Sequence, residues 1–255
     1  MLRLLKSLPL ALPIMSLLAL AAMGFVLTSC TSGSQAQARF VHAIWDAGEL
    51  DIDFNGNKDF PELSFLGHLP STGYTAVPAG SDTVEGFQAN SNTEAFVTPN
   101  VSLTAGTQYT LVATGNIASG TSSVPIMAPP DNNTEPNVGT VSFRVINASP
   151  DGPGQGVYIY IQLNPVIGNG CTLSTGPTVS ALTYQQTSSY VNLNFNANGG
   201  YTLFVCNAVN GNPLFSQNLG SIGSSTEGSI RTLILTDNSS GSTLNLSAIV
   251  LDDLN

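Results

Sequence analysis

The sequence predicts an all-β protein built as two tandem β-sandwiches of immunoglobulin or transthyretin-like kind. Three observations predict it. Short runs of Val, Ile, Tyr, Phe and Thr alternate with polar residues and end at Gly, Asn or Pro. After Cys30 no stretch sustains a helical period. The chain also repeats itself, and a long-period repeat marks a duplicated structural unit.

The repeat fixes the order of elements. "RFVHAIWDAG" at 39–48 aligns with "RVINASPDGP" at 144–153, pairing Arg39 with Arg144, His42 with Asn147, Ala43 with Ala148 and Asp46 with Asp151. "LDIDF" then matches "VYIYI", so Leu50, Ile52 and Phe54 should face a core, as should Val157, Ile159 and Ile161. "STGYTAVPAGSDTVEGF" resembles "TSSYVNLNFNANGGYTLFV", and "AGTQYTLVATGN" resembles "EGSIRTLILTDN". Tyr201, Leu203 and Val205 form a further alternating set, as do Tyr109, Leu111 and Ala113. "VPIMA" reads as a strand closing the first copy, and the Pro- and Asn-rich "PPDNNTEPN" as a linker. The expected organisation is residues 1–29 as a signal peptide, 30–37 as a tether, 38–128 as the first sandwich, 129–138 as the linker and 139–255 as the second sandwich.

The N-terminus supports that first assignment. Arg3 and Lys6 precede a long apolar run free of charge, which ends in "LTSC" at Leu27–Cys30. This resembles the lipobox of bacterial lipoprotein signal peptides. The resemblance implies cleavage before Cys30 and lipid on its thiol. One acyl chain binds a membrane marginally, at about 0.8 kcal/mol per buried methylene, whereas two or three hold firmly. Thr31 is not the aspartate that retains lipoproteins at the inner membrane in enteric bacteria. The expected location is therefore the cell envelope, at the outer membrane in preference to the inner.

Charge and cysteines agree with export. From Cys30 onward the chain holds all 16 acidic residues but only Arg39, Lys58, Arg144 and Arg231 among the bases, for a net charge of −12. That disfavours nucleic acid and anionic lipid surfaces as partners. With Cys30 assigned to lipid, Cys171 and Cys206 remain, and an oxidising compartment favours a disulfide between them. The chain-entropy model gives roughly 3–4 kcal/mol for a loop of that length. A redox pair or a zinc site fits less well, since the two are far apart in sequence and no histidine follows His68.

"DIDFNGNKDFPE" at 51–62 matches a calcium-loop pattern at every specified position, with Asp51, Asp53, Asn55 and Asp59 as oxygen donors, Gly56 at the turn and Glu62 last. It reads equally as a strand, an Asn-Gly turn and a return strand. The hairpin is preferred. No helix fits before Asp51, Lys58 stands where such loops carry an aliphatic residue, and the second copy has Tyr158 and Tyr160 in place of Asp51 and Asp53. The hairpin places Asp51 and Asp53 outward. A weak calcium site at Asp51, Asp53 and Asp59 stays open, but no metal or other cofactor is expected.

Other chemistry is sparse. There is no G-x-S-x-G, H-E-x-x-H or C-x-x-C. His42 is expected to brace the neighbouring turn, with Asp46 and Asp151 helping to close it, and His68 to be solvated in its loop. "GPGQG" at 152–156 leads into a strand and reads as a turn. Trp45 beside a turn is expected to cover the end of a core, with stacking on a sugar ring as the alternative.

Taken together, "ARFVHAIWDAGELDIDFNG", "YTAVPAGSDTVEGF" and "LTAGTQYTLVATG" resemble a bacterial family known as domain of unknown function 4397. The second opening, "FRVINASPDGP", is closer to the family pattern than the first, which departs at Ile44 and Trp45; the second copy departs through its insertion "QLNPVIGNGCTLSTGPTVS". The resemblance implies exported or surface-anchored β-sandwich modules and supplies no catalytic residues. The expected function is a non-catalytic, lipid-anchored envelope protein with a structural, adhesive or interaction role. The alternatives are a glycan- or peptide-binding surface lipoprotein and a hydrolase with an unrecognised site. The expected partners are the membrane, through lipid on Cys30, and an unidentified envelope protein or glycan.

Overall fold

A computed structural model describes residues 34–118, 123–164, 170–171, 176–195, 200–220, 228–238 and 246–254, all of them strand, turn or loop. Cys30 and the expected signal peptide lie outside the described residues. Strands β1 (Gln35–Ala43), β2 (Leu50–Phe54), β3 (Asn57–Leu63), β4 (His68–Leu69), β5 (Thr75–Pro78), β6 (Gly80–Gln88), β7 (Glu94–Leu103), β8 (Gln108–Thr114) and β9 (Ile126–Met127) come first. They are followed by β10 (Thr140–Asn147), β11 (Val157–Leu163), β12 (Val179–Leu182), β13 (Gln186–Thr187), β14 (Val191–Asn194), β15 (Tyr201–Asn207), β16 (Pro213–Gly220), β17 (Ile230–Asp237) and β18 (Leu246–Asp252).

The two sets of strands pair identically. In the first half one sheet runs β4-β1-β8-β9, with β5 also on β1, and the other runs β3-β2-β6-β7. The second half repeats this as β13-β10-β17-β18, with β14 on β10, and β12-β11-β15-β16. In each half one pairing is parallel, β1 with β8 and β10 with β17. Parallel neighbours need a long crossover, and the intervening strands supply it. The two-residue strands β4 and β13 carry too little alternation to show their period in the sequence, whereas β9 falls within "VPIMA", the expected closing strand of the first copy.

Each pair of sheets encloses one core. In the first half, Ala36, Ala38 and Phe40 of β1 and Leu111 and Ala113 of β8 meet Leu50, Ile52 and Phe54 of β2 and Val84 of β6. In the second, Val141, Phe143 and Val145 meet Val157, Ile159, Leu203 and Val205. The alternating sets expected to face a core are buried. Asn55 (φ 50°) and Gly56 (φ 79°) form the hairpin turn between β2 and β3, in the left-handed conformation that such a turn requires.

A third core lies between the halves. The other faces of β1 and β8 present Val41, Ala43 and Val112, and those of β10, β17 and β18 present Ile146, Ile234, Ile249 and Leu251, with Ala148 just after β10. The β1 and β10 sheets thus pack on each other and are buried on both faces, and the β2 and β11 sheets form the outer layers. Gly33–Asn255 is accordingly one unit. Two expected boundaries are corrected. β1 begins at Gln35, inside the expected tether, because its alternate side chains pack into the first core. Within the expected linker, the side chain of Asp131 is fully buried.

The packing predicts the cost of opening a void. Ile52→Ala should destabilise the chain by about 2–5 kcal/mol, read from the midpoint of chemical denaturation.

Candidate functional site

A cluster of buried ionisable groups sits between the halves. Arg39 on β1 donates from Nε to Thr110 Oγ1 (2.9 Å) and from Nη1 to the Asp252 carbonyl (2.7 Å), and its Nη2 pairs with Asp253. Arg144 on β10 does the same in the opposite sense. Its Nε reaches Thr232 Oγ1 (3.1 Å), its Nη1 the Pro130 carbonyl (2.9 Å) and its Nη2 Asp131 (2.5 Å). Each Asp, which follows the last strand of its half, also accepts a tyrosine hydroxyl at 2.8 Å, Tyr74 to Asp131 and Tyr190 to Asp253. The tyrosine rings lie against the guanidinium groups, at 5.5 Å for Arg39 on Tyr74 and 4.8 Å for Arg144 on Tyr190.

The closest ion pairs cross over, while Asp131 also lies 3.6 Å from Arg39 Nη2. Arg39 of the first half pairs with Asp253 of the second, and Arg144 is flanked by Asp131 from the end of the first. Thr114 donates to the Ala148 carbonyl and Thr236 to the Ala43 carbonyl, a second reciprocal exchange. Contacts of this form characterise an isologous interface. Burial opposes the Arg39 charge, but Asp253 and Asp131 outweigh it and raise the guanidinium pKa. Burial and the neighbouring carboxylates also raise the Tyr74 and Tyr190 hydroxyls, keeping both as donors. The donors and carboxylate oxygens here are spent on one another, so the arrangement is a clamp. Arg39 and Arg144 were legible as a repeat pair. Asp131 and Asp253 were not, because the partners sit more than 200 residues from Arg39 and in the expected linker.

His42 is fully buried. Its Nδ1 accepts from the Ile44 amide (3.2 Å), so Nε2 carries the proton and donates to the Gly48 carbonyl (2.6 Å). Burial lowers its pKa, which keeps it neutral. Asn147 shares the first of these contacts, accepting from the Ser149 amide (3.1 Å), but donates to Leu182 O of β12 (3.0 Å) and not to its own turn. Asp46 accepts from the amides of Ile117 and Ala118, while the Asp151 amide donates to Asp237. His68 is half-buried, not solvated; it lines a recess of about 250 Å³ with Arg39, Ser71, Thr72 and Asp252. Trp45 is half-buried. The 152–156 segment is a turn, closed by the Gly156 amide on Pro153 O (2.7 Å).

The hairpin corrects the expectation for Asp51. Its side chain does not point into solvent; the residue is 1% exposed. It accepts from Lys58 Nζ (2.6 Å) and from the amides of Glu62 (2.8 Å) and Asn90 (3.2 Å). A register shift between β2 and β3 and the left-handed Glu62 (φ 51°) turn that amide onto it. Burial pushes the Asp51 carboxyl up, but Lys58 and the two amides outweigh it and leave the pKa below the ordinary value. The first calcium-loop oxygens are therefore already engaged. Among the described residues, no three His, Cys, Asp or Glu are placed to hold a metal ion.

Cys171 and Cys206 form a disulfide with Cα atoms 6.0 Å apart. It lies buried with Tyr160, beside Tyr158 and Phe204, on the outer face of the β11 sheet. The bond fastens the insertion of the second half onto β15. Gly170 (φ 72°) passes so close to the Phe204 ring that a Cβ would collide with it.

A groove of about 320 Å³ lies beside the seam, between the segment joining the halves and the β10 sheet. Asn132, Thr134, Glu135 and Asn137 form one wall, and Ser142, Tyr190 and Asn192 the other.

These contacts carry two predictions. Arg39→Ala and Arg144→Ala each remove the closest counter-ion of a buried carboxylate and should each cost about 3–5 kcal/mol. In a denaturation cycle, Arg39→Ala/Asp253→Ala should cost less than the sum of the single changes. Asp51→Asn should cost about 1–3 kcal/mol, because it sets an amide donor against Lys58. The depressed Asp51 pKa stabilises the fold above the unfolded value of about 3.9, and this support is lost as pH falls through the folded value. Melting curves in that acid window should therefore fall less steeply with pH for Asp51→Asn than for the wild type.

Among curated proteins, none matches the sequence. Among solved structures, the chain resembles CBMbc, a family CBM26 module from Eubacterium rectale Amy13K in complex with maltoheptaose, at 10% identity over 84% of this chain and 95% of that one, with a TM-score of 0.29. It also resembles a streptococcal virulence factor whose structure is described as α-glucan binding, at 12% identity over 82% and 97%, with a TM-score of 0.28. At TM-scores this low, neither likeness transfers a fold or a ligand. Residues 36–158 match the family model described as Domain of unknown function (DUF4397), a span that begins in β1, takes in the whole first half and ends in β11 at the opening of the second.

Proposed function

We propose that this chain is a non-catalytic, lipid-anchored module of the cell envelope with a structural, adhesive or interaction role. The observation that carries the reading is how the chemically able side chains are used. His42, Arg39, Arg144, Asp131 and Asp253 are buried and committed to contacts that hold the fold. A binding role, for a glycan or a peptide, is the second reading, and the polar seam groove favours it. We further propose that the second half is another copy of the same family domain. Its support is the identical strand pairing and the shared positions of Arg39 with Arg144 and Tyr74 with Tyr190.

The anchor is proposed at Cys30, in the outer membrane. Five residues of advance separate Cys30 from the start of β1 at Gln35, a reach of at most about 17 Å. The folded unit would thus stand directly on the bilayer surface and not at the end of a long stalk. In the native host, the wild type should fractionate with the outer membrane, and Cys30→Ala should accumulate as an uncleaved precursor. Normal processing of the variant with release of soluble protein would remove the anchor from the proposal.

A further inference from the structure

We propose that the seam groove binds a neutral oligosaccharide, which deepens the binding reading above and rests on it. A volume of about 320 Å³ is within the usual range of ligand sites. This groove has one wall from the segment joining the halves and one from the β10 sheet.

Its chemistry separates ligand classes. Tyr190 is held rigidly, its hydroxyl on Asp253 (2.8 Å) and its ring 4.8 Å from the Arg144 guanidinium. It offers a fixed aromatic wall. Around it, the side chains of Thr134, Glu135, Asn137 and Asn192 make no hydrogen bond within the described residues, so their donors and acceptors are unspent. A carboxamide presents a donor and an acceptor side by side, which suits neighbouring sugar hydroxyls. No lysine lines the groove, no arginine lines it, and Glu135 adds a negative charge, so phosphate and carboxylate ligands are disfavoured. The polar lining is unlike that of a site for an apolar ligand.

The test titrates the full-length chain, solubilised in a sugar-free detergent, with maltoheptaose, cellohexaose and mannohexaose by calorimetry. A hyaluronan fragment serves as the anionic counterpart. At least one neutral oligosaccharide should bind and the hyaluronan fragment should not. Asn137→Ala and Asn192→Ala should each weaken binding about tenfold, the worth of a hydrogen bond or two, with melting temperature unchanged. Three results would overturn the proposal: no neutral sugar binds, binding survives both substitutions, or only Trp45→Ala abolishes it. Membrane fractionation of Cys30→Ala is independent of these outcomes, so failure of the groove and failure of the anchor are told apart.

Discussion

A charge buried away from water must be paired, and in this molecule Arg39 and Arg144 find their closest partners across the seam. Arg39 is neutralised by Asp253 and Arg144 by Asp131. Asp131 also lies 3.6 Å from Arg39, so the four charges form one buried network, and separating the halves would break its two shortest pairs. That constraint explains why the inner sheets are buried on both faces. Around the ion pairs, Val41, Val112, Ile146 and Ile234 exclude water and complete a core that belongs to both halves. Replacing such a buried pair by well-packed apolar groups is often neutral, whereas removing one member is costly. The pairs therefore act mainly on which surfaces meet and in what register.

With the inner sheets fixed, variation falls on the outer ones. On the β2 sheet, Asp51 and Lys58 close the hairpin edge through an ion pair. At the matching positions of the β11 sheet, Tyr158 and Tyr160 lie beneath an insertion fastened by Cys171 and Cys206. One strand plan carries a polar outer face in one half and an aromatic, stapled one in the other. Packing demands on the inward side chains are the same in both, which is why the alternation persists while the outward residues differ.

Much of this was legible in the sequence because it is local. Period-2 alternation identified the inward set of β2, β8, β11 and β15, and Asn55-Gly56 identified the turn. His42 and Asn147 were legible as braces because the repeat aligned them beside a turn. The misses are non-local. Asp51 alternates like a surface residue, yet the Glu62 and Asn90 amides and Lys58 converge on it through a strand irregularity that has no sequence mark. Asp131 sits among prolines and asparagines whose composition reads as linker. Its burial follows from packing between halves, which periodicity within one strand does not encode. The groove was invisible for the same reason, since its walls come from segments that are distant in sequence.

The Arg39–Asp253 pair spans 214 positions of the chain. A polypeptide emerges from its N-terminus, so the strands that cover the second face of the β1 sheet are made after it. Until they arrive, Val41, Ala43 and Val112 are uncovered on that face, while Arg39 already has Asp131 within 3.6 Å. The partner made later replaces a looser counter-ion with a closer one, so the order in which residues are made sets the order in which the seam tightens.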